Sequence, residues 1–459
     1  MNKGVNLTYQ VEDKPKLPQA LVFALQQLLA IMAATIAVPA IVGNGMSASA
    51  ALFGAGVGTL VYLLFTKFKS PVFLGSSFAF LGSMAAAFAG GVSMSLGYLG
   101  LIIGAALAGL VYVAIALVVK FVGTGWINKL MPAVVIGPTV AIIGLSLAGN
   151  AIGDLFSGSV KDVANNSVAS PYIALICGLI TLGTTIACSV YGKKMLKMIP
   201  FVIGILAGYI VALIFTVIGN STDTDALKVI NFTAFDNMQW YPDFTFLTAF
   251  KGGYEYGEVG NFGAYLGTIA VAYIPVAFVV FAEHIADHKN LSSIIGKDLL
   301  EKPGLHRTLL GDGVGSMAGA FFGGCPNTTY GESVGCVAIS GNASVITILY
   351  TACMAIVISF IAPFSAFLST IPACCMGGVC IALYGFIAVS GLKMIQKVDL
   401  NDNRNLFVVS VILIAGVGGM TLNFGDITIT EVACALILGI LTNILCSIGK
   451  KKEKKEDEE

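Results

Sequence analysis

Three carboxylates stand where a soluble protein would rarely place them. Glu283 falls late in the apolar run that begins near Phe262, Asp312 lies in the run that begins near Leu305, and Glu332 lies in a short run that begins near Asn327. An ionisable group at membrane depth costs several kcal/mol unless paired or hydrated, so it marks a substrate or proton path. A carboxyl in such a place can exist as acid or anion near neutral pH. It can then accept a hydrogen bond from an N–H, donate one to a C=O, and carry a coupled proton. Those abilities suit a planar heterocycle with adjacent amide-like groups. Asp287 follows Glu283 by one helical turn and faces the same way. Asp287 and His288 are candidates for relaying a proton, or else mark the cytoplasmic end of that helix. Asp312 sits beside glycines near a helix start, where a structural hydrogen-bond tie is an equal alternative. The proton-coupling candidates are therefore Glu283, Glu332, Asp287 and Asp312. His306 belongs to a basic loop and is read as structural.

These carboxylates need irregular backbone beside them, and two stretches supply it. One reads Ser70-Pro-Val-Phe-Leu-Gly-Ser-Ser-Phe-Ala-Phe80, the other Gly323-Gly-Cys-Pro-Asn-Thr-Thr-Tyr-Gly-Glu332. Both are poor helix starts: Phe73 to Phe80 mixes strand formers with glycine, and Pro326 has no N–H to give a ladder. Irregular backbone at membrane depth is tolerated only where it is buried in protein or lines a watery cavity. Its free N–H and C=O groups then become ligands for a polar substrate.

The rest of the chain sets these stretches in a membrane. Of 459 residues 57% are hydrophobic and 11% charged, and the mean hydropathy is +0.89; soluble domains are nearer half apolar and a quarter charged. A spanning helix takes about 20 apolar residues, and apolar runs recur from near Leu21 to near Leu445. The run at Ala20–Val42 is too long for a signal-peptide core and is read as a retained first helix.

Fourteen candidate segments begin near Ala20, Ser47, Phe73, Leu96, Met131, Pro171 and Ile199, then near Phe262, Leu305, Asn327, Ile346, Ile371, Asn405 and Thr428. With fourteen spans and both termini inside, 22 of the 25 lysines and arginines fall on the cytoplasmic side. Lys161, Lys228 and Lys251 fall outside. Such a bias is the positive-inside signature.

The chain then divides into a cytoplasmic N-terminus (1–18), a first repeat (19–219), an extracellular loop (220–261), a second repeat (262–449) and a charged cytoplasmic tail (450–459) that halts the last helix. Seven is odd, so the second half enters from the opposite face, which makes an inverted-topology repeat. The interrupted segments are the third of each half, and matched broken segments point to a central binding site. The expected fold is an all-α polytopic membrane protein.

The ten cysteines fall almost entirely within apolar runs and show no metal-ligand spacing, so they read as small buried residues. No nucleophile–base set and no cofactor motif is visible. The expectation is a carrier with no metal and no cofactor beyond a coupling proton, and neither an enzyme nor a channel. Glycine spacings such as Gly54 and Gly58 read as close helix packing.

The stretch Pro326-Asn-Thr-Thr-Tyr-Gly-Glu-Ser-Val-Gly335 resembles the signature of the nucleobase–ascorbate transporter family, in particular its uracil permease branch. Ala282-Glu-His-Ile285, Gly304-Leu-His-Arg307, Leu74-Gly-Ser-Ser-Phe-Ala-Phe80 and Gln26-Gln-Leu-Leu-Ala30 add to the resemblance along most of the chain. The resemblance implies core and gate domains built from intertwined inverted repeats, short strands in segments three and ten, a homodimer in the cell membrane, and proton symport of uracil into the cell. It places the base between Glu283 and Glu332, with the backbone N–H groups of Phe78 and Gly331 completing the contacts and Tyr330 walling the pocket. Three positions depart from the family pattern. Gln27 stands where many relatives carry His, Asp287 where uracil permeases often carry His, and Ser340-Gly341 where the motif usually continues to Thr-Arg. Glu332 favours uracil, since purine relatives tend to carry Gln there.

Competing expectations are a same-fold carrier for xanthine, uric acid or another purine, and a same-fold anion carrier. Two acidic residues at the centre repel an anion. The expected partners are a nucleobase, protons, lipid and a second copy of the chain; no nucleic acid is expected.

Overall fold

A computed structural model describes residues 7–456 apart from 124, 127–131, 163–166, 194, 237, 239 and 425–426. Met131, the expected start of the fifth segment, lies outside the described residues. The described chain is predominantly helical. Its first half holds α1 (Leu17–Val42), α2 (Ala48–Phe65), β1 (Leu74–Ser76), α3 (Leu81–Ala87), α4 (Met94–Val122), α5 (Ala133–Ser146), α6 (Ala148–Leu155), α7 (Pro171–Tyr191) and α8 (Pro200–Ser221). Its second half holds α9 (Phe262–Ile295), α10 (Leu305–Gly323), β2 (Asn327–Thr329), α11 (Gly331–Ser340), α12 (Val345–Ser359), α13 (Ala362–Thr370), α14 (Ala373–Ile395), α15 (Asn403–Val417), β3 (Leu422–Phe424), β4 (Ile427–Ile429) and α16 (Glu431–Glu456).

Among the described residues nine helices are long and apolar enough to cross a membrane, and ten if α12 and α13, bent by 85° at their junction, count as one span. The chain is a multi-pass membrane protein. Several expected segments are shorter pieces: the apolar stretch Phe78–Ala87 and α15 both fall below spanning length, and α11 has ten residues. The helix ends are set by local chemistry. Ser47 caps α2 by accepting from the Ala50 N–H, and Asn261 caps α9 by accepting from the Ala264 N–H at 3.0 Å, which satisfies orphan donors of the first turn. The last helix does not stop where the charges begin. It continues through the Lys450–Lys455 run to Glu456.

The two interrupted stretches meet. β1 and β2 pair antiparallel, with Leu74 opposite Thr329, Gly75 opposite Thr328 and Ser76 opposite Asn327. Ser77 N–H donates to the Pro326 carbonyl at 2.9 Å and Tyr330 N–H to the Phe73 carbonyl at 3.3 Å. Pro326 thus sits where only its carbonyl is needed. Gly75 is required by a close approach, because a Cβ there would stand 2.4 Å from the Tyr330 ring.

α2 and α10 flank this ribbon and touch backbone to backbone. A Cβ on Gly54 would lie 2.4 Å from the Gly319 carbonyl oxygen, and one on Gly58 2.7 Å from that of Gly315. Small residues of this kind let membrane helices approach closely. Asn327 threads the seam, its Nδ2 donating to the Gly54 carbonyl at 3.0 Å. A second hairpin, β3 with β4, joins α15 to α16; no sequence signal pointed to it. The N-terminal segment lies along the end of α11, with Tyr9 bridging to Asn342 and Val345 N–H donating to the Val11 carbonyl.

Candidate functional site

One turn of helix brings Glu283, Ala286 and Asp287 to a single face of α9. That face borders a cavity of about 340 Å³, into which the first turns of α11 also bring Gly331, Glu332 and Gly335. Glu332 occupies the N-terminal turn of α11, where the unpaired N–H groups and the helix dipole favour negative charge. The two glycines keep the space open: a Cβ on Gly331 would meet only Asp287 Oδ1 at 3.8 Å, and one on Gly335 nothing within 4 Å. Across the cavity stand Phe201 at the start of α8, Val140 of α5, and Leu383, Phe386 and Ser390 of α14. The site is an apolar slot with carboxylates on one wall, a common design for small-molecule recognition.

The cavity is continuous with a wider vestibule of about 760 Å³. Ala286, Asp287, Phe386, Ser390 and Met394 belong to both spaces. The vestibule is edged by Lys289 of α9 and by Lys393 and Lys397 of α14. The carboxylate wall therefore communicates with the lysine-rich face of the molecule.

Asp287 is fixed from behind. Thr329 Oγ1 donates to its Oδ2 at 2.9 Å, which joins β2 to α9. His288, the next residue, points to the other side of the helix and is fully buried. Its Nδ1–H donates to the His284 carbonyl at 2.8 Å, and its Nε2 lies 2.7 Å from the Tyr62 hydroxyl and 3.3 Å from that of Ser70. His288 is thus part of the core between α2 and α9, and Asp287 alone of the two reaches the cavity.

Asp312 is also turned away from the cavity. It is 1% exposed, and its Oδ2 lies 2.7 Å from Nδ1 of the wholly buried His284. The Thr308 hydroxyl donates to the Leu305 carbonyl, so it accepts from His284 Nε2–H at 2.9 Å. One further proton then lies on the axis between His284 Nδ1 and Asp312 Oδ2. The His284 and His288 rings stack at 4.0 Å.

The residues that the resemblance added divide in the same way. Gly331 lines the cavity. Tyr330 is buried behind it, donating its hydroxyl to the Ser76 carbonyl at 2.7 Å, so it braces the ribbon that carries Gly331 and Glu332. Phe78 borders a small neighbouring recess with Ser83, Ile143 and Thr430 and meets Tyr384 edge-on at 5.6 Å between ring centroids. Gln27 donates from Nε2 to Ser333 Oγ, and the same oxygen accepts from the Phe73 N–H at 3.1 Å. The amide therefore links α1 to both interrupted stretches.

Three features escaped the sequence reading. Lys197 lines the carboxylate cavity, although its place in a basic stretch read as a plain cytoplasmic charge. Thr329 binds Asp287, and His284 pairs with Asp312; neither pair has a spacing that could announce it. Among the described residues no group of three or more His, Cys, Asp or Glu is arranged to hold a metal ion.

With this geometry in hand, comparison with known proteins is decisive at the level of family. The model described as the Permease family, labelled for xanthine and uracil permeases, matches residues 18–424. The uracil permease of Bacillus caldolyticus is 39% identical over 451 residues, covering 97% of this chain and 95% of that protein. The uracil permease of Bacillus subtilis is 38% identical and covers 100% of this chain and 99% of its own length. Among solved structures, the transmembrane domain of the cyanobacterial bicarbonate transporter BicA superposes with a TM-score of 0.61 over 96% of this chain and 100% of that one. At 15% identity that likeness speaks for the fold alone. The family match, the near full-length relatives and the two carboxylates on one cavity wall place this chain in the nucleobase–ascorbate transporter family, on its uracil permease branch.

Proposed function

We propose that the protein imports uracil together with a proton by alternating access. The observation that carries this reading is the convergence of Glu283 and Glu332 from two different helices on one cavity beside the open Gly331. A carboxyl can offer either an acceptor or a donor, which matches the alternating N–H and C=O groups of the uracil ring. Glu283 and Glu332 hold the base, the Gly331 N–H completes the contacts, Tyr330 braces the wall, and Phe78 borders the neighbouring recess. One or more of Glu283, Glu332 and Asp287 carry the proton. Relatives of near full length named uracil permeases support the choice of base.

The transport cycle rests on fourteen spans in two inverted repeats. Helix packing supports this: several helix pairs recur when each element is exchanged with its counterpart seven segments on. α2 packs on α12 as α10 packs on α4, α7 on α8 as α15 on α16, and α14 on α7 as α5 on α15. The packing also falls into two groups, α1–α4 with α9–α12 as a core, and α5–α8 with α14–α16 as a gate. The cavity lies between the groups and opens toward Lys289, Lys393 and Lys397. Under the positive-inside rule that mouth is cytoplasmic and the conformation inward-facing. Both termini then lie in the cytoplasm, the protein sits in the cell membrane, and it works as a homodimer.

Radiolabelled uracil uptake into proteoliposomes with an imposed pH gradient tests the reading. Acid outside should accelerate uptake, and collapse of the gradient should abolish accumulation. Uptake indifferent to the gradient removes the coupling, and an unchanged uracil affinity in Glu332→Gln removes the pocket. A cavity of about 340 Å³ also has room for a two-ring base. Competition by xanthine, uric acid and hypoxanthine against uracil decides between a pyrimidine and a purine carrier.

A further inference from the structure

Lys197 is the one cation among the described residues that line the carboxylate cavity. It lies in the short helix Met195–Met198, just before Pro200 opens α8. That helix packs against α7 and α8, and also touches α1 and α11. An ammonium on the α8 side thus borders the same space as Glu283, Asp287 and Glu332 on the opposite wall. The other titratable groups facing this space are Cys336 on α11 and, farther toward the mouth, Lys289, Lys393 and Lys397. α1, α5 and the start of α8 contribute only apolar side chains, such as Ala30, Val140 and Phe201.

Three carboxylates that share one cavity repel one another when ionised, and each uncompensated charge in a partly desolvated space is costly. A nearby opposite charge favours the ionised form. We propose that Lys197 is the counter-charge that discharges the transport proton on the lysine-rich side, by pairing with the cavity carboxylates once the base has left. This inference rests on the proton-coupled reading above. Glu283 and Glu332 arrive protonated or bridged by substrate. When the base departs through the vestibule, the coupling carboxyl passes its proton to vestibule water and its anion is met by Lys197. Exchange of base for base returns the site loaded and needs no proton release, whereas net import needs one release in every cycle. A gate-side cation therefore acts on net import selectively.

The test uses purified full-length protein and three variants, Lys197→Met, Lys197→Gln and Lys197→Arg. In detergent, uracil binding is measured from acid to alkaline pH. In proteoliposomes, net proton-driven uptake is compared with base exchange. Binding that requires a protonated carboxyl is lost as pH rises. Without Lys197 the ionised site is less favourable, so that loss should move to a proton concentration about tenfold lower in both neutral variants. The ratio of net uptake to exchange should fall by about tenfold, and Lys197→Arg should restore both readouts. Neutral variants with the parental pH profile and ratio overturn the inference and leave the transport reading intact. An arginine variant as impaired as the methionine variant overturns it too, since charge would then not be the operative property. If the parent protein binds no uracil at any pH, the transport reading fails and this inference falls with it.

Discussion

The hydroxyl of Thr329 donates to the carboxylate of Asp287 across 2.9 Å, joining the strand that precedes Glu332 to the helix that carries Glu283. The two elements that build the carboxylate wall are therefore tied by a bond whose acceptor is itself a carboxylate. Thr329 comes two residues before Gly331, and Asp287 comes one turn after Glu283.

That relationship yields a first prediction through two variants. Asp287→Asn keeps an oxygen to accept from Thr329 but removes the titration. Thr329→Val keeps the titration but removes the donor. If Asp287 shares in coupling, Asp287→Asn should bind uracil with a flattened pH profile and lose proton-driven accumulation. Thr329→Val should weaken binding by roughly tenfold, in line with about 1–2 kcal/mol for an unmet buried acceptor. Isothermal titration across pH and proteoliposome uptake read the two effects separately. A normal pH profile in Asp287→Asn excludes Asp287 from coupling.

The second prediction concerns Glu283. Replacing it by Gln leaves a side chain that can donate and accept but cannot change charge. A hydrogen bond to a charged group contributes about 1.5–3 kcal/mol, so Glu283→Gln should weaken uracil binding by roughly 10- to 100-fold. The cavity face of α9 should remain folded, because Glu283 borders open space rather than the packed helix core. A melting temperature within a few degrees of the parent, measured beside the binding loss, separates recognition from folding.

Much of this site could be read from residue types alone. Pro326, Gly331 and the break at Gly75 signalled irregular backbone, and Glu283 and Glu332 stood out as charges in apolar runs. The helical period also put Asp287 on the cavity face. What could not be read depends on contacts between distant segments. Thr329 is 42 residues from Asp287, and Gln27 is 306 residues from Ser333; no local pattern fixes such partners. Asp312 was legible as a buried charge. Its orientation toward His284, rather than toward the cavity, depends on the rotation of α10, which its glycines set by close packing on α2. Lys197 was hidden by the lysine bias itself, since one more cytoplasmic lysine attracts no notice.

A third prediction follows from Gly75. A methyl group there would drive into the Tyr330 ring, whose hydroxyl holds the Ser76 carbonyl. Overpacking of a dense core costs about 1–3 kcal/mol, and here the strain falls on the ribbon that leads into Gly331 and Glu332. Gly75→Ala should lower the melting temperature and weaken uracil binding together. Gly75→Ala combined with Tyr330→Leu, which clears the ring, should recover part of the stability. Recovery in the double variant, measured by thermal melting in detergent, identifies the clash; additive losses would rule it out.

The last prediction tests the buried His284–Asp312 pair. With His284 Nε2–H committed to Thr308, the Nδ1 and Oδ2 atoms share one proton. Asp312→Asn can replace this bond, because its amide N–H donates to a neutral Nδ1. Asp312→Leu cannot, and leaves the imidazole nitrogen without a partner in the core. Removing one member of a buried pair typically costs about 3 kcal/mol or more. Asp312→Leu should therefore melt well below the parent while Asp312→Asn stays close to it. Uptake by Asp312→Asn then assigns the residue. Full accumulation of uracil makes the pair a structural tie between α9 and α10, whereas normal melting with lost accumulation adds the shared proton to the coupling route. An Asp312→Asn protein that melts as low as Asp312→Leu would mean that the carboxylate itself, not its hydrogen bond, holds the two helices together.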